Sequence, residues 1–238
     1  MTEATTRRVL VTGANRGLGL EFTRQLLARG DHVIAACREP AQADALSALA
    51  AEHPQQLHVF AADLAHTDSV DVLAHDAERV FDGLDLLINN AGVLISGESF
   101  GSVSAESLQS SLATNAIGPF LLTQALAPLL AKGKRAIVAN ISSQLGSIAR
   151  TNSFYTPSYA ISKAAQNMAS MLLAHGLADK NVRVIALHPG WVQTDMGGDR
   201  APVDAADSVR GLLDVIEHLG ASETTARFLD YQGKPLPW

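Results

Sequence analysis

The chain has 238 residues, 47% of them hydrophobic, a net charge of −6 and one cysteine, Cys37. That is enough apolar sequence for one sizeable core, and it is read as a single domain over 1–238. The acidic balance and the lack of a basic cluster argue against nucleic acid as a partner, the lone cysteine fits a reducing cytoplasm, and no apolar run approaches the roughly 20 residues that span a bilayer.

Short apolar runs alternate with amphipathic stretches along the whole chain. In order, the expected elements are strand 8–12, helix 17–29, strand 32–37, helix 41–51, strand 57–61, helix 67–80, strand 84–89, helices 104–115 and 120–131, strand 136–141, helix 158–179, strand 183–188, helix 204–219 and strand 226–229. Most strands are near-continuous apolar runs, as in strands buried on both faces of a parallel sheet. The alternation predicts an α/β fold, a doubly wound parallel sheet of about seven strands with helices on both faces. Two irregular stretches, 146–157 and 192–203, follow strands, where ligands enter such sheets. The second is expected to be the substrate loop. No metal-ligand spacing stands out among the 8 histidines.

The first strand runs into Gly13-Ala14-Asn15-Arg16-Gly17-Leu18-Gly19. A glycine turn between a strand and a helix lets backbone approach a pyrophosphate, and the helix N-terminus offers N–H groups and a favourable dipole. The end of the second strand should then face a ribose. Dinucleotide sites that prefer NAD place Asp or Glu there, whereas Arg accommodates a 2′-phosphate. Here Cys37 stands at that position and Arg38 follows, with Arg16 in the glycine turn as a second cation. The pattern favours NADP(H), although Glu39 weakens it slightly.

Tyr159 and Lys163 are four residues apart, so on a helix they share one face. A free phenol has a pKa of about 10, and a neighbouring ammonium favours the phenolate. The pair is therefore a candidate general acid/base. A Tyr and a Lys at this spacing also occur on ordinary helix surfaces, so the glycine turn is what gives the pair meaning.

In order and spacing these pieces, with Asp63-Leu64, Asn89-Asn90-Ala91-Gly92, Asn115, Ser142-Ser143 and Pro189-Gly190-x3-Thr194, resemble the short-chain dehydrogenase/reductase family over essentially the whole length. The glycine turn and the ending Phe228-Leu229-Asp230-Tyr231-Gln232-Gly233-Lys234-Pro235-Leu236-Pro237-Trp238 look most like its C-factor and sniffer group of carbonyl-reductase-like members. The resemblance implies that Tyr159 protonates a substrate carbonyl, that Lys163 lowers the Tyr159 pKa and holds the nicotinamide ribose, and that Ser143 bonds the substrate oxygen. It implies that Asn115 holds a relay water, that Asp63 and Leu64 meet the adenine, and that Asn90, Ala91 and Gly92 line the cofactor cleft. Pro189, Gly190, Val192 and Thr194 would meet the nicotinamide end.

Ser143 and Tyr159 are 16 positions apart, a few more than in many members, so a relative's substrate does not transfer. The reading is an NADP(H)-dependent oxidoreductase for a small carbonyl or alcohol. The alternative is a dinucleotide-binding signalling protein with little turnover. The apolar helices 120–131 and 158–179 suggest a homodimer or homotetramer, unless a neighbouring helix or the tail covers them.

Overall fold

The computed structural model describes residues 6–219 and 226–238; residues 1–5 and 220–225 of the expected domain lie outside it. Seven strands form one parallel sheet: β1 (Arg8–Thr12), β2 (His32–Cys37), β3 (Leu57–Ala61), β4 (Leu86–Asn89), β5 (Ile137–Ile141), β6 (Arg183–His188) and β7 (Phe228–Asp230). Their order across the sheet is β3-β2-β1-β4-β5-β6-β7.

The helices are α1 (Gly17–Ala28), α2 (Asp44–Glu52), α3 (Thr67–Val80), α4 (Ala105–Leu112), α5 (Gly118–Ala125), α6 (Ala127–Leu130), α7 (Pro157–Gly176) and α8 (Ala205–Glu217). Alternation along each strand divides the core in two. On β1, Val9 and Val11 join Phe22 of α1 and Leu212 of α8 on one face. Leu10 joins Leu73 of α3, Leu122 of α5 and Leu173 of α7 on the other. Strands buried on both faces account for the unbroken apolar runs in the sequence.

Several expected boundaries shift. β4 starts at Leu86 instead of Leu84, whose N–H bonds the Leu129 carbonyl outside the sheet; between them the buried Asp85 carboxylate accepts from the Arg8 and Lys134 N–H groups and from the Arg8 guanidinium. Arg8 holds the Asp85 carboxyl below its ordinary value against the opposing effect of burial. A 3₁₀ turn over Pro40–Gln42 precedes α2 and delays its start.

The largest change lies between the helices expected at 104–115 and 120–131. The chain does not break there but continues through a π-helical turn, Ala113–Ile117. Pro119 has no N–H to return to the Asn115 carbonyl four residues back, so regular α geometry fails at that place. Such turns occur inside helices mostly at functional sites.

Candidate active site

The C-terminal ends of β1, β2, β4 and β5 open onto a cleft of about 470 Å³, lined among others by Thr12, Cys37, Asn90 and Ile141. It lies where chain order and sheet order part, since β1 is flanked by β2 on one side and β4 on the other. Ligands enter open α/β sheets at such a point.

The glycine turn forms one wall. Gly13 and Gly17 have φ of +66° and +51°, a region that favours glycine. A Cβ on Gly19 would run into the Gly13 carbonyl, so glycine lets α1 begin tight against the turn. Asn15, Arg16, Gly17 and Leu18 line the cleft. α1, a 12-residue helix, has no side-chain cap and no acidic residue in its first turn, so its own sequence leaves its positive end uncompensated. The Asn90 amide donates to the Thr12 and Gly13 carbonyls at 2.9 and 3.2 Å. Thr12 Oγ1 accepts from the N–H groups of Asn90 and Ala91. The glycine turn and the uncapped helix N-terminus after it fit a dinucleotide pyrophosphate.

Arg38, Glu39, Asp63, Leu64, Ala91 and Gly92 continue the lining. Cys37 ends β2 and is buried, while Arg38 is exposed. Asp63 serves its own loop as well, accepting the Ala65 N–H at 3.0 Å. Arg16 Nη1 is 2.7 Å from Asp195, an ion pair across the cleft in which both side chains are largely exposed. Pro189 and Thr194 close the far side. Three expected cofactor residues support the cleft instead of lining it. Gly19 packs on the turn, and Gly190, at φ +88°, lies beside Tyr231 and Val203. Val192 is buried and bridges Val203 at the base of the 192–203 loop.

Tyr159 and Lys163 also line this cleft, projecting from the inward face of α7. Lys163 Nζ lies 5.7 Å from the Tyr159 ring centre. It donates to the Ile141 carbonyl at 2.7 Å and to Gln166 Oε1 at 2.9 Å. Burial lowers Lys163 to about 7 and raises Tyr159 to about 12, with a hydrogen bond from Ser143 partly offsetting the latter. The expected lowering of Tyr159 by Lys163 is therefore not realised in this arrangement. The ammonium is directed to a carbonyl and an amide, and its own charge is weakened.

Ser143 and Asn115 stand just behind the lining. Ser143 caps the turn Gln144–Gly146 through the Leu145 N–H, and a Cβ on Gly146 would overlap the Lys163 backbone. Asn115 is fully buried in the π-helical turn. Its Oδ1 accepts the Val93 N–H at 2.8 Å, and its Nδ2 donates to the Val93 carbonyl and to Ser162 Oγ, both at 2.9 Å. Ser162 Oγ in turn donates to the Tyr159 carbonyl at 2.7 Å.

The sequence reading missed the polar layer beneath. Ser158, Ser162, Gln166, Asn167 and Ser170 are all buried on α7. Asn167 accepts from Ser142, Asn140 donates to Ser170, and Asn89 donates to Asn140. The signal was available: these α7 residues recur at helical spacing, in register with Tyr159 and Lys163.

A family model described as short chain dehydrogenase matches residues 7–204. "C-signal" of Myxococcus xanthus is 43% identical over 155 residues, 65% of this chain and 93% of that protein. The structure described as NADPH bound carbonyl reductase from chicken fatty liver superposes with a TM-score of 0.91 at 37% identity, covering 98% of this chain and 99% of that one. The carbonyl reductase Sniffer of D. melanogaster gives 0.93 at 36%, covering 98% and 100%.

The buried lysine has a consequence for stability. Its value is about 7 in the fold and 10.5 ordinarily, so between those pH values the unfolded chain binds a proton that the native state does not. Stability contributed by this site is lowest below pH 7 and rises toward pH 10.5. Tyr159 acts oppositely, but only between about 10 and 12. Urea denaturation from pH 7 to 9.5 should show the parent gaining stability relative to Lys163→Met. Parallel curves for the two proteins would contradict the assignment.

Proposed function

Because the chain belongs to the short-chain dehydrogenase family, we propose that it is an NADP(H)-dependent oxidoreductase acting on a carbonyl/alcohol pair, with Tyr159 as general acid/base. One observation carries this reading: Tyr159 and Lys163 line the same cleft as the glycine turn. The whole chain, 1–238, is read as one NADP(H)-binding domain with its substrate loop near 192–203.

When bound, the nicotinamide supplies or accepts the hydride, and the protein contributes placement and proton handling. With its value raised to about 12, the Tyr159 phenol is protonated at neutral pH, the form that donates to a carbonyl oxygen. Ser143, whose side chain tempers the rise in the Tyr159 value, would hold that oxygen beside it. Lys163, near 7, can give or take a proton at working pH while holding the nicotinamide ribose. Asn115 has spent its side chain on Val93 and Ser162, so a relay water would bind its main-chain carbonyl, which Pro119 deprives of the regular donor.

Asn15, Gly17, Leu18 and the N-terminus of α1 would hold the pyrophosphate, with Gly13 shaping the turn. Asp63 and Leu64 would meet the adenine, and Asn90, Ala91 and Gly92 would form the opposite wall. Pro189 and Thr194 would meet the nicotinamide. Arg16 and Arg38 would hold the 2′-phosphate. Arg16 must leave Asp195 to do so, but an exposed pair is worth only about 0–1 kcal/mol. A charge-assisted bond to phosphate is worth roughly 1.5–3 kcal/mol, so the phosphate wins. The NADPH bound to the chicken carbonyl reductase supports the choice of cofactor.

A second reading, a dinucleotide-binding signalling protein with little turnover, draws on the similarity to C-signal. The co-located Ser143, Tyr159 and Lys163 favour turnover. A cytoplasmic location suits the free, buried Cys37. Among the described residues no helix is long and apolar enough to cross a membrane. Self-association as a homodimer or homotetramer is part of the proposal: Ile161, Met168 and Leu172 of α7 are about half exposed or more. The tail does not cover them, because Trp238 stacks on Phe228 and meets Ala149 instead.

NADPH-dependent reduction of a panel of aldehydes, ketones, quinones and ketosteroids tests the activity. On the best substrate, Tyr159→Phe should lower turnover by about 10²-fold or more with cofactor affinity nearly unchanged; near-normal turnover would refute the mechanism. Fluorescence titration should show NADPH binding tighter than NADH, with Arg38→Asp erasing the preference. Equal affinities in the parent would sink the cofactor assignment. Light scattering should give a mass above the 25.1 kDa chain and a lower one for Met168→Glu; a parent monomer throughout the micromolar range would end the proposal of self-association.

A further inference from the structure

The helix that carries Tyr159 and Lys163 begins in an unusual way. Three non-glycine residues among those described have positive φ, and Thr156, at φ 40° and ψ 58°, is the β-branched one. Left-handed backbone is a genuine outlier for a β-branched residue. Thr156 also precedes Pro157, and a following proline pushes a residue toward extended conformations. Thr156 is the N-cap of α7, yet its side chain makes no capping bond, and its Oγ1 is buried without a partner. The first turn, which positions Tyr159, thus starts from strained backbone with no cap of its own.

A residue 60 positions earlier supplies one. Glu98 Oε2 accepts the Ser158 N–H at 3.1 Å and the Ser158 hydroxyl at 2.7 Å. Ser158 is the second residue of α7, where an N-cap side chain normally reaches, and it directly precedes Tyr159. A carboxylate at a helix N-terminus is also favoured by the dipole. Ser158 is fully buried, so its N–H has no access to water as an alternative. The other carboxylate oxygen, Oε1, is buried without a partner. A carboxylate held this way is poorly satisfied, and such departures from good polar pairing gather at functional sites. The segment bearing Glu98 leaves β4 through Val93, which Asn115 holds from its other side.

We propose that Glu98 is a positioning residue for the reaction: its carboxylate clamps Ser158, holds the strained Thr156–Pro157 entry into α7, and thereby sets where the Tyr159 phenol stands. This rests on the reading of Tyr159 as general acid/base. It extends that reading to a side chain outside the cleft lining.

Three variants of the full chain test it. Glu98→Ala removes the clamp, Glu98→Gln keeps an acceptor for Ser158, and Ser158→Ala keeps the N–H but loses the hydroxyl. With the best carbonyl substrate, Glu98→Ala should lower kcat tenfold or more while the NADPH dissociation constant, read by fluorescence, stays within twofold. Glu98→Gln should restore most of the rate, and Ser158→Ala should fall between. Hydrogen exchange should rise in the 156–163 segment of Glu98→Ala and not in β5. A Glu98→Ala enzyme with a lower melting temperature but unchanged kcat would overturn the positioning role and leave a structural cap. Unchanged exchange in 156–163 would overturn the clamp itself. The exchange measurement needs no substrate. A parent that reduces no carbonyl compound would sink the enzymatic reading and the catalytic half of this inference, while exchange still decides the clamp.

Discussion

The structure around the cleft depends on burying Lys163 with no carboxylate beside it: its hydrogen bonds go to the Ile141 carbonyl and to Gln166. Buried polar groups are costly unless hydrogen-bonded, and buried charges more so. The consequence spreads along α7, whose inward face is polar from Ser158 to Ser170. It continues into the sheet, where Asn89, Asn140 and Ser142 meet that face with matching donors and acceptors. Ile161, Met168 and Leu172 are left on the outside. Over 158–170 α7 thus reverses the usual helix, which turns its apolar stripe inward; beyond it Leu173 and Ala174 rejoin the core.

The two ends of the cleft do different electrostatic work. At one end stand uncapped α1 and two exposed arginines, Arg38 and Arg16, the latter paired with Asp195. At the other, burial moves Tyr159 and Lys163 toward their neutral forms, so that end carries little charge. The two ends need different surroundings. The arginines of the first end stand in water, whereas Tyr159 and Lys163 at the second are cut off from it.

Exclusion of water requires that the loops around the cleft be held. The loop after β4 is tied to the π-helical turn by Asn115 and to α7 by Glu98. The loop after β5 is tied to the tail: Ser147 donates to the Pro237 carbonyl at 2.6 Å, and the Ala149 N–H donates to the Trp238 carbonyl at 3.1 Å. The loop after β6 closes on itself where Val192 meets Val203. The first two anchors are polar or backbone contacts between segments distant in sequence, and the third is local; Met196 lines the cleft and is half exposed.

The sequence alone determined the alternation of seven strands with helices, because strands buried on both faces need unbroken apolar runs and amphipathic helices cover them. It also marked the glycine turn and the Tyr/Lys pair, which are local patterns, while Asp63, Leu64, Asn90, Ala91, Gly92, Pro189 and Thr194 of the lining were marked only by the family resemblance of the whole chain. Gly19, Gly190 and Val192 were marked too, but their packing against the Gly13 carbonyl, Tyr231 and Val203 could be seen only in three dimensions. Tertiary structure decided the protonation of the site. The i, i+4 spacing placed Lys163 near Tyr159, but only the fold directed its ammonium to Ile141 and Gln166 and buried both groups. It decided that helix continues through Asn115 and Pro119, and that Glu98 caps a helix 60 residues away. Local sequence carries propensity and spacing; desolvation and long-range hydrogen bonds exist only once distant segments have been packed together.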